Sequence, residues 1–383
     1  MRVLIAFDKF KDALSANDAC AHAARVLEAK HPDWELDLCP LTDGGEGFCE
    51  TLTAAAHGRL EHVEVSGPRG GTFTAPLGFV AASSLPAAVR TRWALTGTLA
   101  VVDLASASGL SLLAPGERNP WHATTAGTGE LLRHAADRRA DAILLGLGGS
   151  ATNDLGFGAL AALGLRFMDA FGQAVEPPVP ARWHQIVRIE GQVALPPVFI
   201  ACDVTNPLLG RHGATVTFGP QKGLPPTDVL ELETRTRRMS ELLCDHCERP
   251  RILVNTPGAG AAGGISFGLM VAADAQLVPG FDLVAAWLNL PARLAATDLV
   301  ITGEGRFDAT SLAGKGPGSL AREARRLGKP AHVFAGSVGL PARNGINGPA
   351  EEHLHAITPA GLPLAEALPR TAELLAAAVA RAL

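Results

Sequence analysis

The run from Asp298 to Lys315 concentrates more chemistry than any other stretch of the chain. An apolar segment, Leu299-Val300-Ile301, empties into Thr302-Gly303-Glu304-Gly305-Arg306-Phe307-Asp308, followed after a short gap by Gly314-Lys315-Gly316. The spacing predicts a buried strand that ends in a glycine-flanked turn. Glycine permits a tight turn and a close approach of backbone to ligand. Glu304, Arg306, Asp308 and Lys315 then place two acids and two bases in one loop. Such a mixture suits magnesium and phosphate together. Carboxylate oxygens hold Mg²⁺, cationic side chains meet phosphate oxygens, and backbone amides near a helix start complete an anion site. One such loop is equally compatible with a surface turn carrying a salt bridge, so only recurrence of the pattern gives it weight.

The pattern recurs wherever an apolar run stops. In doubly wound sheets ligands bind outside the carboxyl ends of the strands, so polar residues directly after a strand are the ones that count. Asp8-Lys9-Phe10-Lys11 follows the first apolar run, and Asp43-Gly44-Gly45-Glu46-Gly47 follows the second. Ile143-Leu144-Leu145 leads to Gly146-Leu147-Gly148-Gly149-Ser150-Ala151-Thr152-Asn153-Asp154, a glycine hinge followed by small hydroxyl, amide and acid groups. Val198 to Ala201 leads through Cys202 to Asp203-Val204-Thr205-Asn206-Pro207, with Phe218-Gly219-Pro220-Gln221-Lys222-Gly223 shortly after. Any one of these could be a capped turn, because Asp and Asn cap helices and Gly supplies left-handed turns.

The elements that must position these residues read as an α/β fold. Short β-rich apolar runs alternate with alanine-rich helical stretches, the pattern of βα units and a largely parallel sheet. Strands are expected at Arg2–Phe7, Glu35–Leu41, Asp298–Thr302 and Ala331–Gly336. Helices are expected from the Ser15 cap through Ala29, over Glu46–Ala56, and from Leu364 to Leu383. After Gly67-Pro68-Arg69-Gly70-Gly71 the strands shorten and Gly, Pro and Ser multiply, as in an inserted mixed-sheet domain. The expected organisation is a discontinuous Rossmann-like doubly wound domain, 1–67 with 282–383, around an inserted α/β domain, 68–281.

Composition limits the functional classes. The 383 residues, 47% hydrophobic and 19% charged, can bury a large core. A net charge of −5 offers no basic field for nucleic acid, and no run is apolar enough to span a membrane or to serve as a signal-peptide core, so the cytoplasm is the expected compartment. The six cysteines show no disulfide framework, and Cys244-Asp245-His246-Cys247 lacks two further ligands for zinc. A monomer or a homodimer is equally compatible with this composition.

In these motifs the chain resembles the bacterial glycerate kinases that phosphorylate the 2-hydroxyl of glycerate. The resemblance runs through Asp8–Ala16, Asp43–Gly47, Arg118-Asn119-Pro120, Thr124–Leu131, Gly146–Asp154, Asp203–Gly213, Phe218–Gly223, Gly258–Gly264 and Asp298–Lys315. It implies two α/β domains facing across a cleft, ATP with Mg²⁺, and D-glycerate as the acceptor; the acceptor comes wholly from the resemblance. Departures are few. Asp12 and Ala13 stand where the family usually has Gly and Ser, Ala126 where it has Tyr, Leu155 where Gly is common, and Thr310 where Gln is usual.

Phosphoryl transfer to a hydroxyl needs positioning, Mg²⁺ across the phosphates, cations on the equatorial oxygens and a carboxylate to accept the proton. On that basis Asp203, Glu304 and Asp308 are the expected Mg²⁺ ligands, with Asp203 also counted as catalytic. Lys222, Gly303, Gly305, Arg306 and Lys315 are assigned to ATP. Lys9, Lys11, Glu46, Ser150, Asn153 and Asn206 are assigned to the acceptor, with Asp43 or Asp154 as the base. No Walker A loop is present, so the phosphate cradle must be of another kind. The competing reading is an NAD(P)-dependent oxidoreductase acting on a small hydroxy acid. Its case is the GxGxxG string Gly258–Gly263 after the strand-like Arg251–Asn255, without the acid that should end a second strand. A third, a non-catalytic sugar-acid binder, leaves so many acids beside lysines unexplained.

Overall fold

The computed structural model describes residues 1–308, 311, 316–339 and 353–383. In chain order the strands are β1 (Arg2–Phe7), β2 (Glu35–Leu38), β3 (Arg59–Ser66), β4 (Thr72–Ala81), β5 (Thr98–Asp103), β6 (Ala142–Gly146) and β7 (Arg166–Met168). They continue as β8 (Arg188–Glu190), β9 (Val198–Ala201), β10 (Gln276–Val278), β11 (Leu299–Phe307), β12 (Ala331–Val338) and β13 (Leu354–Ala356). Backbone contacts group the chain into two compact units, Met1–Asp43 with Val284–Leu383, and Gly44–Leu283. Residues 44–67, grouped by sequence with the terminal domain, supply a helix (Phe48–Ala55) and β3 to the second unit, where β3 pairs with β4.

The terminal unit holds a five-stranded sheet in the order β13-β12-β11-β1-β2, parallel throughout. Val3 to Phe7 are fully buried, the continuous apolar run expected of a parallel strand covered on both faces. The helix Ala16–Lys30 starts at Ser15, whose hydroxyl accepts a hydrogen bond from the Asp18 amide at 3.1 Å. Its Ala19, Cys20, Ala23 and Leu27 recur at helical spacing and bury against β1 and the final helix, Thr371–Ala382. The C-terminal segment is broken rather than continuous: Leu364–Ala367 is followed by a 3₁₀ turn, Leu368–Arg370, before that helix begins. Pro369 lacks the amide that a continuous helix needs.

The inner unit holds a six-stranded mixed sheet, β10-β9-β6-β5-β4-β3. β5, β6, β9 and β10 run parallel, and β4 and β3 are added antiparallel. β7 and β8 form a separate hairpin beside which Phe157, Phe167 and Trp183 pack as an aromatic cluster.

Two sequence expectations change. β11 does not stop at Thr302 but pairs with β12 as far as Phe307 opposite Val338, so the glycines flanking Glu304 lie in a strand. They are there for space: a Cβ on Gly303 would collide with the Phe334 carbonyl, and one on Gly305 would stand 3.1 Å from the Lys11 amide nitrogen. Arg251–Asn255 is a 3₁₀ helix and not a strand. The GxGxxG string therefore has no strand before it and is no dinucleotide fingerprint. A Cβ on Gly260 would collide with the Pro207 carbonyl and one on Gly263 with that of Thr152, so these glycines permit backbone contact.

Both backbone departures from the family pattern have a positive φ, +61° at Asp12 and +58° at Leu155. Asp tolerates that region, whereas a branched leucine there is strained. Leu155 is fully buried and packs against Gly264 and Gly268. Truncating it to Ala keeps the strain and opens a cavity, costing roughly 2–4 kcal/mol. Leu155→Gly opens a slightly larger cavity but releases the strain, and should be the more stable variant by about 1 kcal/mol. Denaturant midpoints of the two variants check that order, which reverses the usual ranking.

Candidate active site

The strand order of the terminal unit reverses between β1 and β11, the 2-1-3-4-5 arrangement in which ligands lie beyond the carboxyl ends of the two strands at the switch point. β1 ends in Asp8 and Lys9, and the end of β11 carries Glu304, Gly305 and Arg306. Asp8 is 8% exposed and accepts a hydrogen bond from the Lys9 amide at 2.7 Å. The Lys9 ammonium reaches Asp43 Oδ1 at 2.9 Å. Burial pushes the Asp8 carboxyl up to about 7, with the Asp43 charge adding to the rise and Lys9 opposing it. Glu304 is likewise pushed up to about 7, first by burial, against a hydrogen bond from Ser311 and with the charges of Asp308 and Asp43 adding to it. Its Oε1 is buried without a hydrogen-bond partner.

Three carboxyl groups thus share one partly desolvated place, an arrangement that a cation would relieve. The helix Gly316–Arg326 also begins there, with a Cβ on Gly316 standing 3.5 Å from Asp8 Oδ2, so the positive end of a helix dipole lies beside that carboxyl. Arg306 is largely exposed and pairs with Asp308 at 3.1 Å, while the Asp308 amide donates to Ser311 Oγ at 3.1 Å. Lys11 lines the same cavity, whose volume is 1070 Å³. Lys315 and Thr310 lie outside the described residues.

The inner unit gathers a different set. Asp154 is fully buried, and its oxygens accept from the Thr125 amide and hydroxyl, both at 2.8 Å, and from the Gly156 and Gly158 amides at 3.1 and 3.2 Å. Burial raises its pKa against those bonds. Lys222, assigned from the sequence to the ATP phosphates, is 1% exposed and donates to the Thr152 carbonyl at 2.6 Å. Asn153 is fully buried, its Nδ2 3.2 Å from Thr215 Oγ1, while Asn153 Oδ1 and Thr152 Oγ1 have no partner. Four sequence motifs therefore meet around Thr152–Asp154. The Gly44 to Gly47 loop packs on Gly146 to Gly148, with the Gly148 amide donating to Gly44 O at 2.8 Å, and this neighbourhood holds half-buried Glu46 and largely buried Ser150. Asn206 is tied to the His212 carbonyl at 2.8 Å, and both Asp203 oxygens face the Phe281 amide, at 3.1 and 3.0 Å.

Sequence reasoning passed over Asp8 as a site residue and missed Asp103, which is 1% exposed and holds the Cys49 and Ser106 amides at 3.2 and 2.9 Å. Both stand where an apolar run ends in an acid, the signal used for the other loops. Among the described residues no three His, Cys, Asp or Glu side chains converge closely enough to cage a metal ion, Cys244 and Cys247 included, and no helix is long and apolar enough to cross a membrane.

The glycerate kinase family model matches residues 3–383. The chain belongs to the glycerate kinase family. It is 35% identical over 380 residues to the glycerate kinase of Bacillus subtilis, covering 97% of this chain and 94% of that protein. It is 35% identical over 359 residues to the glycerate 2-kinase of Escherichia coli K12, covering 91% and 89%. A crystal structure described as a glycerate kinase 2 from Salmonella typhimurium LT2 matches with a TM-score of 0.75 at 35% identity, covering 100% of this chain and 96% of that one.

Family membership leaves the burial of Lys222 to be explained by this chain's own energetics. Burial pushes its ammonium down to about 7, a shift that the Asp154 charge opposes. In the unfolded chain the same group keeps its proton up to about 10.5. Between those values the unfolded state binds more protons, so this lysine makes stability rise with pH. Lys222→Met should lose that increment, so its denaturant midpoint rises less than that of the wild type between about pH 7 and about pH 10. Equal rises would show that the lysine keeps its proton when folded.

Proposed function

We propose that this protein transfers the γ-phosphoryl group of ATP to D-glycerate in the cytoplasm, giving 2-phosphoglycerate and ADP. The observation that carries this reading is the cluster of Asp8, Asp43 and Glu304 with Lys9 at the β1/β11 switch point, in a chain of the glycerate kinase family. The E. coli relative named glycerate 2-kinase supports transfer to the 2-hydroxyl.

Mg²⁺ fits the terminal-unit residues, because Glu304 Oε1 is a buried carboxylate oxygen without a partner. Mg²⁺ needs only one or two carboxylates, completing its shell with water and substrate phosphate. Glu304 would hold it directly and Asp308 through water, while Asp203, expected from the sequence as a third ligand, belongs to the inner unit, where its oxygens face the Phe281 amide. When bound, the ion supplies charge neutralisation across the phosphates. Lys9, Lys11 and Arg306 bring cationic donors to the anionic groups of the two substrates. As the acceptor hydroxyl oxygen bonds to the γ-phosphorus and the bond to ADP breaks, the hydroxyl proton passes to a carboxylate. Of the two candidate bases Asp43 suits the step better, since its side chain is 45% exposed whereas Asp154 is closed off by four hydrogen bonds. Asp154 and Lys222 then act by holding the Thr152–Asn153 backbone in place.

The product decides the reading. Purified protein incubated with D-glycerate, ATP and Mg²⁺ should give 2-phosphoglycerate by phosphorus NMR. A 3-phosphoglycerate signal would overturn the regiochemistry, and no phosphoglycerate at all would overturn the kinase reading. Glu304→Gln should reduce turnover by roughly 100-fold while the circular dichroism melt stays at the wild-type midpoint. Near-normal turnover would remove Glu304 from the site.

A further inference from the structure

The cavity of the terminal unit is far larger than a three-carbon acid requires, and its two ends differ in chemistry. One end, at the switch point, is lined by Lys9, Lys11, Glu304 and Arg306. The other is formed by the end of β13 and the residues that follow it and is almost wholly apolar: Ala356, Pro359, Leu362, Leu364 and Leu368, with the hydroxyls of Thr358 and Thr371 among them. Much of this apolar end is open to solvent, Leu364 at 72% exposure. Exposed apolar surface running into a charged pocket is the mark of a site for a ligand that is anionic at one end and weakly polar at the other.

The geometry points to this end as the nucleoside subsite, an inference that rests on the function proposed above. The purine ring lies on Ala356, Pro359, Leu362 and Leu364, the threonine hydroxyls meet the polar edges of base or ribose, and the phosphate chain runs along the cavity toward Lys11, Lys9 and Arg306. Glycerate has no part that could use the apolar end. Among the described residues no aromatic side chain lines that end, so the base is held by aliphatic contact, and affinity should depend on the shape of this surface.

The test uses the full chain and two variants. Ala356→Trp fills the apolar end, and Leu364→Asp, at an exposed position where folding is insensitive, makes it polar. Isothermal titration measures ADP and inorganic tripolyphosphate separately, and steady-state kinetics gives KM for ATP and for D-glycerate. Both variants should weaken ADP by at least about tenfold, leave tripolyphosphate within about twofold, and raise KM for ATP but not for glycerate. Equal weakening of ADP and tripolyphosphate, no change in ADP, or a rise in the glycerate KM instead would overturn the subsite. If the wild type binds ADP in this variant-sensitive way yet phosphorylates no glycerate, the nucleoside subsite stands and the kinase reading falls.

Discussion

A charged group taken out of water must be hydrogen-bonded or paired, and both units bury such groups at the carboxyl ends of their parallel strands. They meet the requirement in opposite ways. In the inner unit Asp154 is satisfied by its own chain, with three backbone amides and one hydroxyl, and Lys222 shares its surroundings. Everything around it closes: two helix starts, the Thr124-Thr125 segment and the Thr152 backbone are fastened to a common point. In the terminal unit the requirement is left open. Asp8 and Glu304 are both pushed toward protonation, and Glu304 keeps a buried oxygen without a donor. On the proposed reading, a fold that satisfies one buried carboxylate so fully and leaves another so poorly served separates a structural acid from a functional one.

Close backbone approach makes both arrangements possible. Gly303, Gly305 and Gly336 let the Phe10–Lys11 turn and the ends of β11 and β12 come within contact of each other; a Cβ on Gly336 would stand 2.5 Å from Gly305 O. That proximity keeps the β1 and β11 acids on one small surface. Gly260 and Gly263 do the same for the inner unit, where the segment after Arg251–Asn255 touches the Pro207 and Thr152 carbonyls. Glycine serves here by its missing side chain more than by its conformational freedom.

Much of this was legible in the sequence, because the signals were local. The Ser15 cap, the β1 run and the acids after β1, β6 and β9 depend on neighbours a few residues away. The α/β class followed from their alternation. What escaped depended on partners distant in sequence. Gly303 and Gly305 signalled a turn until β12 supplied a ladder through Val338. Arg251–Asn255 has strand composition, yet it forms a 3₁₀ turn leading into contacts with the Asn206–Pro207 segment. Lys222 sits on a glycine loop like any solvated lysine, and only the three-dimensional meeting of that loop with Thr152 encloses it. Asp12 and Leu155 show the converse, since a departure from the family pattern gains meaning only once φ and burial are known at each position.

The absence of a Walker A loop also acquires a physical explanation. A P-loop neutralises phosphate with a ring of backbone amides and one lysine. On the proposed reading the described residues offer the charge mostly from side chains: Lys9, Lys11 and Arg306, aided by the start of the Gly316–Arg326 helix beside Asp8. Side-chain cations are longer and more mobile than amides, so fixed anions are needed to hold them in position. Asp43 on Lys9 and Asp308 on Arg306 supply those anions, at 2.9 and 3.1 Å. On the proposed reading, nucleotide and Mg²⁺ exchange these pairings for new ones: the cations turn to phosphate, and the freed carboxylates turn to the metal ion and the acceptor proton. The ion pairs Lys9–Asp43 and Arg306–Asp308 then hold in position the groups that act in the reaction, and the cost of breaking them is offset by the contacts that replace them.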